Sequence, residues 1–518
     1  MACRFVLPVS VCEMHVLRFT TQKKRDILCF SMALAAFVSL SACKTSESEG
    51  NVSQATSGSQ TNVSATASWA QTVSAGAANS RFDSVAVDSS GNIYVSGFQA
   101  GTGTYTYGAQ STAVTAGTNN IALVKYSAAG IAQWARTVSA GSSDSVFESV
   151  TVDSSGNIYA AGSQRNTGTF TYGSINAAAT HTSFNPLLVK YDTNGNALWV
   201  RTVSAGSNVA RFHSVATDSS ANIYAAGRQT GTGAFTYSGQ SISGASVGVN
   251  ATLVKYDSSG AALWAQTVAS GASSSYFSGI AIDASSNVYA VGLQSGAGTY
   301  TYGTQSATGT HTSSNCVIVK YNSSGVAQWA RTVSAGSNIS QFNSVAVDSS
   351  GNTYAVGAIY GTGTFTFGSQ SVNGVSTNAN LLIVKYDSSG NALWARSVGA
   401  GSSDSAFYGV TIDSAGNIHA AGMQRGTGTF TYGNQNISSP HTGTNALLLK
   451  YSPTGTVLSA TTVNAGANES SFQALAADTS GHVYAAGAQN GNTMFTFGSV
   501  NSTATNAGGS NSLLIKYQ

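Results

Sequence analysis

The sequence predicts an all-β protein built from seven copies of one unit. The first observation is a turn sequence: "DSSGNIY" at residues 88–94 recurs at 153–159, and close variants begin at 218, 283, 348, 413 and 478. The interval is 65 residues each time, which is typical of a repeat architecture. The second observation is composition, because 57 Gly and only 4 Pro accompany short runs of β-branched and aromatic residues. Such runs, separated by Gly and Asn, indicate strands joined by turns.

Each unit contains four strand-like segments, which we name A to D. In the first unit they are "FDSVAVD" at 82–88, "NIYVSGF" at 92–98, "IALVKY" at 121–126 and "AQWARTV" at 132–138. Short polar connections with a late Gly join A to B and C to D, as antiparallel hairpins require. The B–C connection exceeds 20 residues and contains segments such as "GTFTYG". These segments predict a small additional hairpin in each unit.

An Asp closes segment A in every copy: Asp88, Asp153, Asp218, Asp283, Asp348, Asp413 and Asp478. We expect each carboxylate to accept hydrogen bonds from backbone N–H groups of the turn that follows. The Gly of the turn is expected to adopt a positive φ. Ala221 and Ser286 replace that Gly in two copies, so those turns should be strained by ~1 kcal/mol or reshaped. A Ca²⁺ loop is an alternative, but the turn supplies one carboxylate where such sites gather several.

The D segments are offset from the others. They carry Trp69, Trp134, Trp199, Trp264, Trp329, Trp394 and then Leu458, so one D precedes the first A and the chain ends at a C. Pairing the segment around Trp69 with the segment around Lys516 would complete the last sheet and leave no exposed edge. This layout predicts a seven-bladed β-propeller over residues 66–518, with four-stranded blades and a ring closed by the N-terminal strand. The alternative is a β-solenoid, which needs no matched ends.

The repeat resembles a known bacterial repeat. "DSSGNIYVSGFQ" at 88–99 and "VKYDSSGNALWAR" at 384–396 are similar to the β-propeller repeat called SBBP, and the resemblance extends over essentially all of residues 65–518. That family occurs mostly in secreted or surface bacterial proteins, and its biochemical role is generally undefined. The resemblance therefore implies a fold and a location, and it implies no activity.

Residues 1–42 have the features of an export signal. "KKR" at 23–25 precedes the apolar run "ILCFSMALAAFVSLSAC" at 27–43. "LSAC" at Leu40–Cys43 resembles the lipobox of bacterial lipoproteins, which implies cleavage before Cys43 and its lipidation. An ordinary secretory signal, in which Cys43 is incidental, is the alternative. Residues 43–65 are polar and low in complexity, so they predict a flexible tether. We expect an exported protein of the cell envelope, held at the outer membrane or the cell surface through lipidated Cys43 alone.

The charge balance excludes some partners. Of 22 Lys plus Arg, 5 lie in the first 42 residues, as do 2 of the 19 Asp plus Glu, so 17 positive and 17 negative side chains remain. A neutral chain lacks the basic footprint of a nucleic-acid binder. It also lacks a polybasic attraction to anionic lipid. Cys316 is the sole cysteine after Cys43 and is expected to be a small buried apolar residue. We expect a monomer without a cofactor.

The copies differ most beside the Phe that opens segment A. The residue after this Phe is of a different polar type in every copy: Asp83, Glu148, His213, Ser278, Asn343, Tyr408 and Gln473. The residue before the Phe varies too, and so do the residues at the end of segment B, which include Arg165, Arg228 and Arg425. The start of A and the end of B are neighbours in a hairpin, so we expect these side chains near the mouth of a central channel. Such a mixed ring suits recognition of a glycan, a peptide or a protein loop. Neutral variation at exposed positions is the alternative.

Known catalytic motifs are missing from the sequence. It contains no H-E-x-x-H, no phosphate-binding Gly loop with its Lys and no G-x-S-x-G elbow between a strand and a helix, since the match "GASVG" at 244–248 lies in a B–C connection. We therefore predict no catalytic residue. Asp83 and Glu148 belong to adjacent units, with His213 next in order, which leaves an acid–base pair open.

Three histidines recur in alternate units, in the B–C connection. His181, His311 and His441 lie 130 residues apart. Convergence of the three would suit zinc, whereas duplication of a two-unit segment explains the spacing without a metal. We predict no metal site.

The sequence as a whole favours a lipid-anchored binding or scaffold module of the bacterial cell envelope. Its partner would be a protein, a peptide or a glycan at the cell surface. Two alternatives stay open. The first is an envelope enzyme acting on a glycan or peptide at the channel mouth, and the second is an envelope assembly factor.

Overall fold

A computed structural model describes residues 65–76, 78–141, 143–271, 273–401 and 403–518. The predicted signal segment, Cys43 and the predicted tether up to residue 64 lie outside the described residues. The described residues form strands, turns and bends and contain no helix, hence none long and apolar enough to cross a membrane. The expectation of an all-β chain is confirmed for this part of the protein.

The described residues contain seven four-stranded antiparallel sheets, each in the order A-B-C-D. The A strands are Ser80–Val87, Ser145–Val152, Ala210–Thr217, Ser275–Ile282, Ser340–Val347, Ser405–Ile412 and Ser470–Ala477. The B strands are Ile93–Ala100, Ile158–Arg165, Ile223–Thr230, Val288–Ser295, Thr353–Tyr360, Ile418–Arg425 and Val483–Asn490. The C strands are Asn119–Tyr126, Phe184–Tyr191, Val249–Tyr256, Ser314–Tyr321, Ala379–Tyr386, Thr444–Tyr451 and Ser510–Tyr517. The D strands are Ala67–Thr72, Ala132–Arg136, Ala197–Arg201, Ala262–Thr267, Ala327–Thr332, Ala392–Ser397 and Val457–Thr462.

The last sheet combines the two ends of the described chain. Its D strand is the N-terminal segment Ala67–Thr72, which pairs antiparallel with Ser510–Tyr517, and Trp69 lies opposite Lys516. Each A strand packs against the A strand of the next sheet, and Ser80–Val87 also packs against Ser470–Ala477 of the seventh sheet. Each A strand therefore contacts the A strands of the sheets before and after it, and the first A strand contacts the last.

The B–C connection forms a small hairpin in every repeat, as the sequence predicted. The paired strands are Gly103–Tyr107 with Gln110–Val114, Thr169–Tyr172 with Ile175–Ala178, Ala234–Tyr237 with Gln240–Ser243, Thr299–Tyr302 with Gln305–Thr308, Thr364–Phe367 with Gln370–Asn373, Thr429–Tyr432 with Gln435–Ser438, and Met494–Phe497 with Val500–Thr503. In two repeats a segment of the D–A connection adds a third strand, Val203–Ala205 or Ala335–Gly336.

The core lies between neighbouring sheets. Along a C strand, consecutive residues are buried: Leu381, Leu382, Ile383 and Val384 are all 0% exposed. Successive strand residues point to opposite faces, so both faces of each sheet must be covered. One apolar cluster joins side chains of the third sheet to side chains of the fourth, including Leu253 and Phe277. Cys316 is buried among such residues, and burial raises the pKa of its thiol to about 12.

The A–B turns are held by their Asp. Asp88 Oδ1 accepts from the backbone N–H groups of Ser90 and Asn92 at 2.9 and 2.8 Å, and Oδ2 accepts from the Tyr94 hydroxyl at 2.9 Å. This is the bonding that the sequence predicted. At the Gly position of the turn, Ala221 and Ser286 adopt φ of 57° and 59°. These two turns are therefore strained and not reshaped, because a Cβ disfavours that conformation.

In six of the seven sheets, the C–D turn is bonded to the preceding sheet. The side chains of Lys125 and Trp134 donate to the carbonyl oxygen of Thr193 at 3.3 and 3.2 Å, and Arg136 Nε donates to that of Gly195 at 2.8 Å. Equivalent contacts recur along the chain at the same sequence separations. Carbonyl oxygens of the turn are thus bonded by side-chain donors of the neighbouring sheet.

Candidate ligand-binding site

Strand A carries a β-bulge at the residue after its Phe. In the first sheet the pairing passes from Phe82–Gly97 to Ser84–Ser96, which leaves Asp83 outside the ladder. The same skip occurs in the A strands of the other six sheets. A bulge leaves its extra residue unpaired and redirects its side chain. The bulge residues are the seven variable polar residues singled out in the sequence: Asp83, Glu148, His213, Ser278, Asn343, Tyr408 and Gln473.

A glycine of strand B lies opposite each bulge. A Cβ on Gly97 would lie 2.9 Å from the carbonyl carbon of Arg81 and 3.0 Å from Cα of Phe82, and closer still to the Arg81 carbonyl oxygen. The same close approach occurs at Gly162, Gly227, Gly292, Gly357, Gly422 and Gly487. Because the obstacle is backbone, only Gly fits there without moving the strand. The recurrent Gly of strand B therefore allows the close approach of strand A at the point where the variable residue forms the bulge.

The seven bulge residues line a single cavity of about 560 Å³. Its wall also includes residues before the Phe of strand A and near the end of strand B, among them Arg81, Arg211, Arg228 and Tyr276. A smaller cavity of about 210 Å³ is lined by the same seven residues and by those that follow them along the A strands. The structure thus brings the variable side chains together, although they are spaced 65 residues apart in the chain.

Two of the predicted arginines lie outside this cavity. Arg165 and Arg425 end their B strands, and neither lines the 560 Å³ cavity. Their guanidinium groups lie 3.4 Å from Asp144 and 3.8 Å from Asp404, with 52% and 55% of the side chains exposed. At the last residue of strand B the side chain lies beside an acidic residue in the loop before strand A, so these two arginines are not part of the cavity wall. Their part in binding stays a prediction. Arg228, two positions earlier than this strand end, lines the cavity.

Asp83 is a cavity carboxyl group whose pKa is raised. Arg81 Nε donates to its Oδ1 at 2.5 Å. Burial raises the pKa of Asp83, Arg81 lowers it, the negative charge of Glu148 raises it, and the net result is a pKa of about 6. The Asp83 side chain is only 14% exposed. Desolvation of the charged form therefore outweighs the adjacent guanidinium.

Glu148 is shifted the other way. Burial opposes its ionisation, but His213, Arg211 and Arg228 together outweigh burial and hold the pKa of Glu148 below its usual value. Nδ1 of His213 makes a hydrogen bond with Glu148 Oε2 across two neighbouring sheets. The His213 ring also lies 5.9 Å from the ring of Tyr276. One cavity thus contains two carboxylates whose pKa values are driven apart, an arrangement suited to acid–base chemistry.

The other side of the cavity is uncharged. Ser278 Oγ donates to the carbonyl oxygen of Phe342, and Asn343 Nδ2 donates to that of Phe407, both at 2.7 Å. Each contact joins a bulge to the next sheet. The carboxylate and imidazole bulge residues therefore come from the first three sheets, and the remaining four sheets contribute hydroxyl, amide and aromatic groups.

The three recurrent histidines have a local role. Nδ1 of His181, His311 and His441 accepts the backbone N–H of the residue two positions later, at 3.0, 3.1 and 3.0 Å. An Asn four positions after each His bonds the loop backbone, as Asn185 does with the His181 carbonyl at 2.7 Å. Within the described ranges, no group of three or more His, Cys, Asp or Glu side chains is arranged to hold a metal ion. The imidazoles shape the B–C loops of alternate repeats.

Sequence reasoning recognised the position before the Phe of strand A as variable, but it did not name the side chains at that position as site residues. Arg81, Arg211 and Tyr276 occupy the position before the Phe of strand A. Their variation between copies was the available signal. Their contribution to the wall depends on how the bulge turns the strand, which a repeat alignment does not contain.

Comparisons with known proteins identify no relative by sequence, since no family model and no curated protein matches the chain. Among solved structures, the chain is similar to streptogramin B lyase at 10% identity and a TM-score of 0.42, covering 86% of this chain and 97% of that one. It is similar to a chain of the mitotic checkpoint complex at 11% identity and a TM-score of 0.43, covering 87% and 96%. A protein of unknown function from Dyadobacter fermentans matches at 10% identity and a TM-score of 0.39, covering 88% and 99%. Likeness of this size carries no conclusion about activity.

Proposed function

We propose that residues 66–518 form a seven-bladed β-propeller closed by its N-terminal strand. Support comes from the seven sheets, from the pairing of Trp69 with Lys516 and from the packing of the first A strand on the last. Deleting residues 66–72 would expose the edge of Ser510–Tyr517, and an unpaired edge promotes association. The truncated protein should melt at a lower temperature and form oligomers in gel filtration. An unchanged, monomeric protein would argue against closure.

We propose that the protein is a binding module whose recognition site is the cavity at the A-strand bulges. The observation that carries this proposal is the contrast between copies. The A–B and C–D turns are nearly uniform in sequence, whereas the seven bulge positions hold seven different polar residue types and line one cavity. A rigid repeated frame with varied side chains at one concave place is the usual construction of a recognition site.

The binding test uses glycan and peptide arrays probed with the purified protein. A variant with Ala at His213, Arg228 and Tyr408 should lose the ligand that the wild-type protein captures. The matched control is Ser90→Ala, because Ser90 lies in an exposed A–B turn away from the cavity residues. Equal capture by the wild-type protein and the triple variant would place recognition elsewhere. Capture of an envelope protein in place of a glycan or peptide would favour an assembly factor.

We further propose that the protein is exported and anchored to the cell envelope through lipidated Cys43. The support is sequence-based: the apolar run at 27–43 and the "LSAC" resemblance. Metabolic labelling with an alkynyl fatty acid should mark the wild-type protein and leave Cys43→Ser unmarked. Equal labelling of both proteins would refute an anchor at Cys43, and absence of label from both would favour an ordinary secretory signal.

The contact between Glu148 and His213 favours a second candidate, an enzyme acting on a glycan or peptide. Asp83, with its pKa raised to about 6, would serve as general acid, and ionised Glu148 would serve as base or electrostatic partner. Turnover of an array-identified ligand, lost in Asp83→Asn and in Glu148→Gln, would support catalysis. Binding of that ligand without turnover over a long incubation would leave the binding module as the function.

A further inference from the structure

Two arginines stand directly opposite each other in the third sheet. Arg211 of strand A pairs with Arg228 of strand B, and both line the cavity. In the other six sheets the same pair contains at most one Arg: Arg81–Phe98, Val146–Ser163, Tyr276–Leu293, Gln341–Ala358, Ala406–Met423 and Ser471–Ala488. Like charges directly opposite each other destabilise a sheet. Neither the repeat pattern nor the stability of the fold therefore accounts for this pair.

The two guanidinium groups lack a bound acidic partner. In the described part of the chain, the nearest cavity carboxylates are already engaged, Asp83 with Arg81 and Glu148 with His213. Nε of Arg211 and Nε of Arg228 are buried and donate to no described residue. A buried donor without an acceptor is costly, and more so when it carries charge. The pair thus has hydrogen-bonding capacity that a ligand would satisfy.

Aromatic rings hold both side chains in place. Cζ of Arg211 lies 3.4 Å from the ring centroid of Phe184, and Cζ of Arg228 lies 5.9 Å from that of Tyr276. A guanidinium fixed on an aromatic face keeps its planar fork available for a carboxylate, which it binds through two parallel hydrogen bonds. Burial lowers the pKa of Arg211, the charge of Arg228 lowers it further, and Glu148 opposes them. Asp144 also raises this pKa, and Arg165 also lowers it.

We propose, on the basis of the binding function above, that Arg211 and Arg228 bind the carboxylate of an acidic sugar whose ring packs against Tyr276. The rest of the cavity suits the hydroxyl groups of such a ring, since Asp83, Asn343 and Gln473 supply polar groups around it. A volume of about 560 Å³ lies within the usual range for small-molecule sites. A peptide would need apolar side-chain pockets, and Phe98 and Val146 are the few aliphatic or phenyl groups in the wall.

The test measures binding of a tetrasaccharide of galacturonic acid and of its methyl ester to the full protein by calorimetry. The ester keeps the sugar rings and removes the negative charge. The wild-type protein should bind the acid and bind the ester at least about tenfold more weakly, because a charge-assisted hydrogen bond is worth about one to two powers of ten in affinity. Arg211→Met and Arg228→Met should each lose a similar factor. Arg331→Met is the matched control, since Arg331 lies on the D strand Ala327–Thr332 outside the cavity, and it should bind as the wild-type protein does.

Melting temperatures of the arginine variants show whether a loss of binding is caused by a loss of stability. Arg228→Met removes the like-charge contact with Arg211 and also the attraction between Arg228 and Glu148, so its melting temperature should stay within a few degrees of the wild-type value. A fall of several degrees would show that the arginines stabilise the sheet and would overturn the proposal.

The outcomes also separate this inference from the proposed binding function. Equal binding of acid and ester would overturn the carboxylate site and leave a glycan-binding cavity. If neither sugar binds, but a peptide with a free C-terminal carboxylate binds in an Arg228-dependent manner, the acidic-sugar inference is wrong and the binding function stands. Binding of none of these three probes would count against both.

Discussion

Replacement of Gly162 by Ala tests whether the strand B glycine maintains the bulge that places Glu148 in the cavity. A Cβ at residue 162 would lie 3.0 Å from Cα of Phe147 and from the carbonyl carbon of Val146, and closer still to the Val146 oxygen. Carbon atoms in contact normally keep about 3.5–4.0 Å between them. Because the Val146 oxygen lies closer still, strands A and B of the second sheet would have to separate by at least about 1 Å at the bulge.

The expected cost follows from these distances. Overpacking in a buried site typically costs about 1–3 kcal/mol, and weakening one ladder hydrogen bond adds about 1 kcal/mol. Gly162 is fully enclosed by strand pairing on both sides, so neither strand can move alone. We expect the free energy of unfolding to fall by about 2–4 kcal/mol.

Unfolding in guanidinium chloride, followed by tryptophan fluorescence, measures this change as a shift of the transition midpoint. Gly117→Ala is the control, because a Cβ on Gly117 would meet nothing within 4 Å, and its midpoint should stay close to that of the wild-type protein. If Gly162→Ala and Gly117→Ala have the same midpoint, the bulge does not depend on the glycine, and our account of why the two positions recur together is wrong.

Three further predictions concern the turns, the cavity and the seam between sheets. Ala221→Gly should raise the free energy of unfolding by ~1 kcal/mol, because it relieves a positive φ; an equal or lower denaturation midpoint would contradict this. The pKa of Asp83 is raised from 3.8 to about 6, so the folded state binds the extra proton and stability should decline as pH rises from about 4 to about 6. Asp83→Asn should remove this decline in melting temperature, and parallel pH profiles of variant and wild type would refute it. Ser149→Ala should cost about 1–3 kcal/mol, since Ser149 Oγ accepts the buried N–H of Val215 in the next sheet at 3.1 Å; a midpoint equal to wild type would show that this N–H has another acceptor.

The bulge explains why variation is concentrated at one position per repeat. Residues within the ladder face a neighbouring sheet, as Phe82 and Val85 do at 0% and 6% exposure, and packing restricts their type. The bulge residue leaves the ladder and faces the cavity, where packing imposes little restriction. Side chains there can change from one copy to the next without affecting the sheets, which is the freedom that a recognition site requires.

The sequence by itself determined the period, the four strands of each repeat, the turns and the hairpin in the B–C connection. These features depend on interactions among residues close in the chain, such as the hydrogen bonds that Asp88 accepts from the backbone N–H groups of Ser90 and Asn92. Because the repeat occurs seven times, the same local pattern can be recognised in seven places. The offset of the D segment also predicted the partner of the strand at Trp69, because only one strand lacked a partner.

Only the tertiary structure decided which variable residues meet and how they interact. The contact between Glu148 and His213 joins residues 65 positions apart. The pairing of Arg211 with Arg228 belongs to a strand register that skips one residue. Arg165 forms an ion pair with Asp144 outside the cavity. The physical reason is that a one-residue bulge changes which face a side chain occupies. That change is set by strand pairing and sheet packing, and no periodicity in the sequence records it.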